Sequence, residues 1–324
     1  MSTLKKPRSK RILDSSAFCK VSCLNDLINL GKNTETNQDF KKIKQITKEL
    51  NFLNDLVGLD DLKNQIIEQI MFFIQGFSTN EMMHTCLMGP PGVGKTTVAE
   101  IIAKIYSKLG FLSHGNFIKV GREHLVGQYL GETTQKTKKV LKNAIGSVLF
   151  IDEAYSLGNS HKDDMYAKEC IDTLNTFLSE NTKNFVCIIA GYEEQLNSCF
   201  FAQNPGLERR FPWKYRLEKY SPINLIDIFK SMLNKTKWKL RQPHDCVEFL
   251  NNIIEQNLLY FDNGGGDISN FITSCKMVHS RRMFGAKRTW KRYLIPNDIQ
   301  QGFQVFRKNK KVKEKNPLVE HMYI

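Results

Sequence analysis

Two apolar rhythms divide the chain. From Thr85 to about Tyr220, short unbroken apolar runs alternate with stretches where apolar residues recur every third or fourth position. Such short runs suit strands buried on both faces, and the second rhythm suits one face of a helix. The runs predict strands near 84–88, 116–120, 147–152 and 185–190, with helices near 95–109, 133–144, 164–179 and 193–200. Strands and helices in alternation imply a parallel sheet with helices on both faces. Past Tyr220 the strand runs fade, and PINLIDIFKSML, CVEFLNNIIEQNLLY, DISNFITSCKMVHS and NDIQQGFQVF all carry the helical rhythm. The expected fold is thus α/β with a small helical lid after it. Its expected divisions are a basic extension (1–50), the α/β domain (51–220), the lid (221–306) and a basic tail (307–324).

Composition narrows the class. A chain of 324 residues can build one large core and a smaller one, and 41% hydrophobic with 25% charged residues is the balance of a globular protein. No apolar run approaches a membrane span, and the basic start MSTLKKPRSKRILDSS has no apolar segment behind it, which argues against a secretory signal. The eight cysteines are scattered with no CxxC pair, and several sit in apolar strand-like runs. They read as small packed hydrophobes in the cytoplasm or another reducing compartment, not as a zinc or disulfide framework. The net charge is +14; residues 1–50 hold 11 basic and 5 acidic side chains, and residues 281–324 hold 12 and 3. Charge gathered at the ends is expected either as solvated tails or as contact with nucleic acid or an acidic partner.

The chemistry is concentrated in two stretches. In HTCLMGPPGVGKTTVAEIIAK, an apolar run leads into Gly89-Pro90-Pro91-Gly92-Val93-Gly94-Lys95-Thr96 and then a helical pattern. That is a phosphate-binding loop between strand and helix. Glycines let backbone N–H groups turn onto phosphates, Lys95 is expected to reach the β- and γ-phosphates, and the Thr96 hydroxyl is expected on Mg²⁺. In GSVLFIDEAYSL, four apolar residues end at Asp152 and Glu153. Asp152 is expected to hold the Mg²⁺ shell through water, and Glu153 to polarise the water that attacks ATP.

Phosphate loop, acid pair and helical lid together resemble an AAA+ ATPase. LVGQYLGETTQKTKKVLKNAIGSVLFIDEAYSL, FVCIIAGYEEQ and NPGLERRF resemble the CbxX/CfqX family, which includes the red-type rubisco activases and has similar modules in large DNA viruses. The resemblance runs from about Leu56 to Arg282 and implies an ATP-hydrolysing ring, most simply a homo-hexamer. By the same resemblance, Val57 and Gly58 contact adenine, and Arg210, not Arg209, is an arginine finger reaching the neighbouring subunit's ATP. Two departures stand out. The fourth strand ends Ala190-Gly191-Tyr192, where many AAA+ proteins carry a water-orienting asparagine. Asn263-Gly264-Gly265-Gly266-Asp267 replaces a stretch in which the activases carry a nucleotide-sensing arginine, so coupling of the lid to nucleotide is in question.

In such a ring the loop after the second strand faces the central channel, and Gln128-Tyr129 falls on it. Glycines at 127 and 131 let it bend, and Tyr129 offers a flat face that grips a threaded protein without reading its sequence. LGNSHKDD (157–164) is a weaker candidate for a second channel loop. A remodeller of an unnamed protein client is the first reading. A nucleic-acid motor or loader working through the basic ends, and a slow nucleotide-switched scaffold, are the alternatives.

Overall fold

The computed structural model describes residues 21–32, 38–77, 81–129, 131–158, 164–285 and 291–310. Its element order is α1 (Leu24–Lys32), α2 (Gln38–Asn54), α3 (Asp60–Ile74), β1 (Thr85–Met88), α4 (Lys95–Lys108), β2 (Phe117–Val120), α5 (Arg122–Leu125), α6 (Glu132–Asn143), β3 (Val148–Ile151), α7 (Met165–Glu180), β4 (Val186–Gly191), α8 (Glu193–Gln195) and β5 (Trp213–Arg216). The lid follows as α9 (Pro222–Lys235), β6 (Lys239–Leu240), α10 (Pro243–Gln256), α11 (Gly264–Arg282), β7 (Tyr293–Leu294) and α12 (Pro296–Asn309).

β1 to β5 form one parallel sheet in the order β2-β3-β4-β1-β5. Their alternating side chains feed two separate cores. Leu87, Val148, Phe150 and Ile188 face α1 to α4, while Cys86, Leu149, Ile151 and Ile189 face α6 and α7. Both faces are therefore covered, as unbroken apolar strands require. The lid closes a third core around Phe229, Phe271 and Phe303.

Three expectations need correction. The solvated-tail reading fails for 24–32 and 38–50: Leu24, Leu27, Ile43, Ile46 and Leu50 are buried in the same core as the sheet, and Lys108 of α4 pairs with the buried Glu49 at 2.7 Å. The apolar positions are diluted there by lysines, which masked the helical rhythm. The helix expected over 193–200 is α-helical only to Gln195 and continues as a π-helical turn. The short strand β5 was not foreseen, because WKYR alternates polar and aromatic residues at the sheet edge. Residues 1–20 and 311–324, half of the expected tails, and most of the second channel-loop candidate lie outside the described residues.

Candidate functional site

β1 and β3 lie on either side of β4, so the loops after β1 and β3 converge above one end of the sheet. Between them and the lid lies a cleft of about 580 Å³. Pro91, Gly92, Val93, Gly94, Lys95 and Thr96 line one end with Asp152 and Glu153, while Leu56, Val57, Ile228 and Met232 line the other. A polar, glycine-rich end beside an apolar one suits a triphosphate joined to a base.

Gly92 and Gly94 have φ of 72° and 93°, a region closed to most side chains. Gly94 is also the residue that caps α4, so the first N–H groups of that helix open onto the cleft. Lys95 Nζ donates to the carbonyls of Gly89 (2.8 Å) and Pro90 (2.7 Å). That is how these two residues enter the site, for they do not form its wall. Burial lowers the Lys95 pKa, and the carboxylates of Asp152 and Glu153 oppose that shift. Gly58 also stands off the wall. Its φ is 64°, and a Cβ there would meet the Asn224 side chain at 2.3 Å, so it serves the turn against the lid while Val57 faces the cleft.

Glu153 adopts φ of 52°, a left-handed conformation that costs a non-glycine residue about 1–3 kcal/mol. The strain falls on the acid expected to act. Asp152 is paired with Lys119 of β2 at 2.7 Å, a neighbour that sequence reasoning missed because FIKV reads as an ordinary strand. At the end of β4, Tyr192 lines the cleft, its ring 5.6 Å from Lys95 Nζ and 5.9 Å from the ring of Tyr155. Burial and then Glu153 raise the Tyr155 pKa. Thr96 and Asp152 are oxygen donors on one cleft, a donor set that fits Mg²⁺.

The lid and the Tyr220 that precedes it both hold on to the backbone of the phosphate loop. Gly265 N–H donates to the Gly92 carbonyl at 3.0 Å, and Tyr220 OH donates to the Val93 carbonyl at 2.9 Å. Gly265 and Gly266 line the cleft. Asp267 accepts from Asn263 N–H at 2.7 Å and from Lys310, which fixes the start of α11. The triple glycine that replaces the expected arginine is thus the contact itself. Arg282 is elsewhere, donating to the buried Asp298 at 2.8 Å.

Tyr129 is 69% exposed, which excludes packing beneath its own loop. The Glu132 carboxylate accepts from the N–H groups of Gln128 and Tyr129 (3.3 Å each), Gly127 N–H donates to Thr133 Oγ1 (3.1 Å), and Gly131 turns the chain with φ of 84°. Arg210 does not reach the cleft of its own subunit. It is half-buried, and its Nε donates to Ser179 at 2.8 Å. Asn204, at the start of the same segment, donates to Asp172 at 2.9 Å.

Comparison with known proteins agrees with this fold. The family described as ATPases associated with various cellular activities (AAA) matches residues 85–202. The chain is 37% identical over 303 residues to a cfxQ-like protein, R730, of Acanthamoeba polyphaga mimivirus, covering 90% of this chain and 74% of that one. It is 32% identical over 262 residues to the chloroplastic ribulose bisphosphate carboxylase/oxygenase activase of Cyanidioschyzon merolae, covering 78% and 87%. In fold it is similar to the FIGL-1 AAA domain in complex with ADP, with a TM-score of 0.57 over 78% of this chain and 83% of that one at 20% identity.

Proposed function

We propose a function on one premise, that this chain belongs to the CfxQ family of AAA ATPases and hydrolyses ATP. Our reading is that it acts as an oligomeric ring, in its simplest form a homo-hexamer, which remodels a protein client. The observation that carries it is the split between two places. Lys95, Asp152 and Glu153 meet in one cleft, while Arg210 stands outside it and Tyr129 is exposed on a braced loop.

In this reading the N–H groups around Gly92 and Gly94 hold the phosphates, and Lys95 leaves its carbonyl partners for the β- and γ-phosphate oxygens. Glu153 draws a proton from the water that attacks the γ-phosphorus. Thr96 and Asp152 would hold Mg²⁺, which neutralises charge on the phosphate oxygens. Val57 packs on adenine. Arg210 completes the site of the next subunit, where a finger of this kind contributes about 10³–10⁵ in rate. Lid movement, passed through the Gly92–Gly265 contact, shifts Gln128 and Tyr129 along a channel.

ATP turnover measured against protein concentration tests this. Turnover per subunit should rise with concentration in the wild type and be lost in Glu153→Gln. Arg210→Ala should bind nucleotide normally and turn over at least about 10³-fold more slowly. Mixing it with Lys95→Ala should restore activity, since the second variant lends its finger to the first one's intact site. Undiminished turnover in Arg210→Ala would refute the shared site.

A further inference from the structure

The charge excess is not confined to the ends. Residues 51–220 carry 18 basic and 19 acidic side chains, residues 221–310 carry 15 and 7, and residues 311–324 carry only 3 and 2. The lid is therefore strongly basic. No Asp or Glu occurs from 228 to 244, nor from 268 to 297. These two acid-free runs contain β6 and β7, and the fold pairs them.

β6 and β7 run parallel with Lys239 opposite Tyr293 and Leu240 opposite Leu294. Lys239 N–H donates to the Arg292 carbonyl and Arg241 N–H to the Leu294 carbonyl, both at 2.9 Å. Leu294 is buried and Leu240 packs on the lid core, so alternation along the strands turns Lys239, Arg241 and Tyr293 outward. Lys237, Lys239, Arg241, Lys291 and Arg292 are all exposed. Lys276 of α11 adds a sixth cation, its Nζ 5.2 Å from the centre of the Trp238 ring. Of the carboxylates that follow these runs, Asp298 is buried against His279 and Arg282, and Asp245 stands at the start of α10.

We propose that this face binds single-stranded nucleic acid. Lys239 and Arg241, two residues apart and both donating their N–H groups to the β7 segment, are spaced roughly 6–7 Å apart, which suits a backbone bearing one anion per unit. Tyr293, half-buried and opposite Lys239, adds an aromatic ring to this cationic face, a feature that an acidic protein segment would not use. None of these six cations lines the ATP cleft, so binding there is separable from hydrolysis. It also rides on the lid, the part that the nucleotide cycle would move.

The test is anisotropy of a fluorescein-labelled mixed-sequence single-stranded 20-mer with the full chain, over a range of salt. Lys239→Glu/Arg241→Glu/Arg292→Glu should weaken binding at least tenfold and reduce the slope of log affinity against log salt by about 2, at about 0.7 for each of three phosphate contacts. Lys138→Glu/Lys139→Glu/Lys142→Glu on exposed positions of α6 makes the same charge change and should leave affinity within about threefold. Wild-type ATP turnover shows that each variant is folded, and the triple Gln variant replaces the triple Glu one if it is not. Equal weakening by both variants, no binding by the wild type, or equal displacement of the oligonucleotide by a glutamate-rich peptide would overturn the proposal.

Discussion

Replacing Gly92 by alanine asks directly whether backbone holds the lid to the phosphate loop. A Cβ on Gly92 would lie 1.8 Å from the Asn263 carbonyl oxygen and 2.7 Å from its carbonyl carbon. Neither atom can swing aside, because Asn263 N–H is tied to Asp267 and the Gly92 carbonyl is tied to Gly265. The lid must therefore retreat. Alanine at φ 72° first costs about 1–2 kcal/mol of left-handed strain. Retreat then breaks the Gly265–Gly92 hydrogen bond, worth about 0.5–1.5 kcal/mol. Gly110→Ala supplies the reference: its φ is 81°, and a Cβ there meets nothing within 4 Å, so it carries the strain alone.

Hydrogen exchange at the Gly265 amide separates the two. This amide lies in the first turn of α11, where a helix offers no acceptor of its own, so its protection depends on Gly92. Losing up to about 1.4 kcal/mol should speed its exchange by up to about tenfold in Gly92→Ala. Gly110→Ala should leave it unchanged, although both variants lose stability. Equal protection of Gly265 in the two variants would show that the lid is held by something else.

Two further outcomes concern buried charge. Asp298 is buried, and although burial alone would raise its pKa, hydrogen bonds from Arg282 and His279 hold it below the ordinary value. Asp298→Ala should cost about 3–5 kcal/mol in denaturant unfolding, since it leaves Arg282 and His279 without their acceptor, and a loss below 1 kcal/mol would show that water replaces it. His84 is fully buried, and burial lowers its pKa from 6.5 to about 4. The unfolded chain then binds the proton between those values and the folded chain does not, so stability falls as pH drops through 6.5 towards 4. Between pH 7.5 and 5 the loss is about 2 kcal/mol at 1.36 kcal/mol per unit, and His84→Gln should remove it. The same pH slope in variant and wild type would place the loss elsewhere.

How much was legible in the sequence follows from where the signal was local. Strand β3 and the acids after it were readable because a fully buried strand is apolar at every position and its end is abrupt. The phosphate loop was readable because backbone approach to phosphate demands glycines at fixed spacing. Lys119 was not, since its meaning comes from the β2–β3 pairing that sets it beside Asp152. That no arginine stands at 263–267 is legible in the sequence, but what the glycines there do is not. Only the fold shows that the three glycines bring α11 against Gly92, an approach that a side chain at Gly92 would prevent. The basic lid was hidden for a similar reason: the segments around β6 and β7 lie some fifty residues apart.

Helix α7 joins parts of the site that the sequence presents as separate motifs. Its capping residue Asp164 pairs with Arg122, beyond the end of β2, at 2.7 Å. One turn on, Glu169 accepts from Thr134 of α6, the helix that begins behind the Tyr129 loop, at 2.5 Å. Asp172 accepts from Asn204 and Ser179 from Arg210. These partners are spread over a helix about 24 Å long. A rigid helix cannot shift one of them without the others, so a displacement felt at Arg210 is carried to the base of the Tyr129 loop through side-chain contacts already in place. The Arg210 segment and the exposed Tyr129 are thus attached to one body, while the cleft is built by the loops after β1 and β3. In the ring we propose, events at the Arg210 interface with a neighbouring subunit and events at the Tyr129 loop would share a mechanical path that bypasses the subunit's own nucleotide.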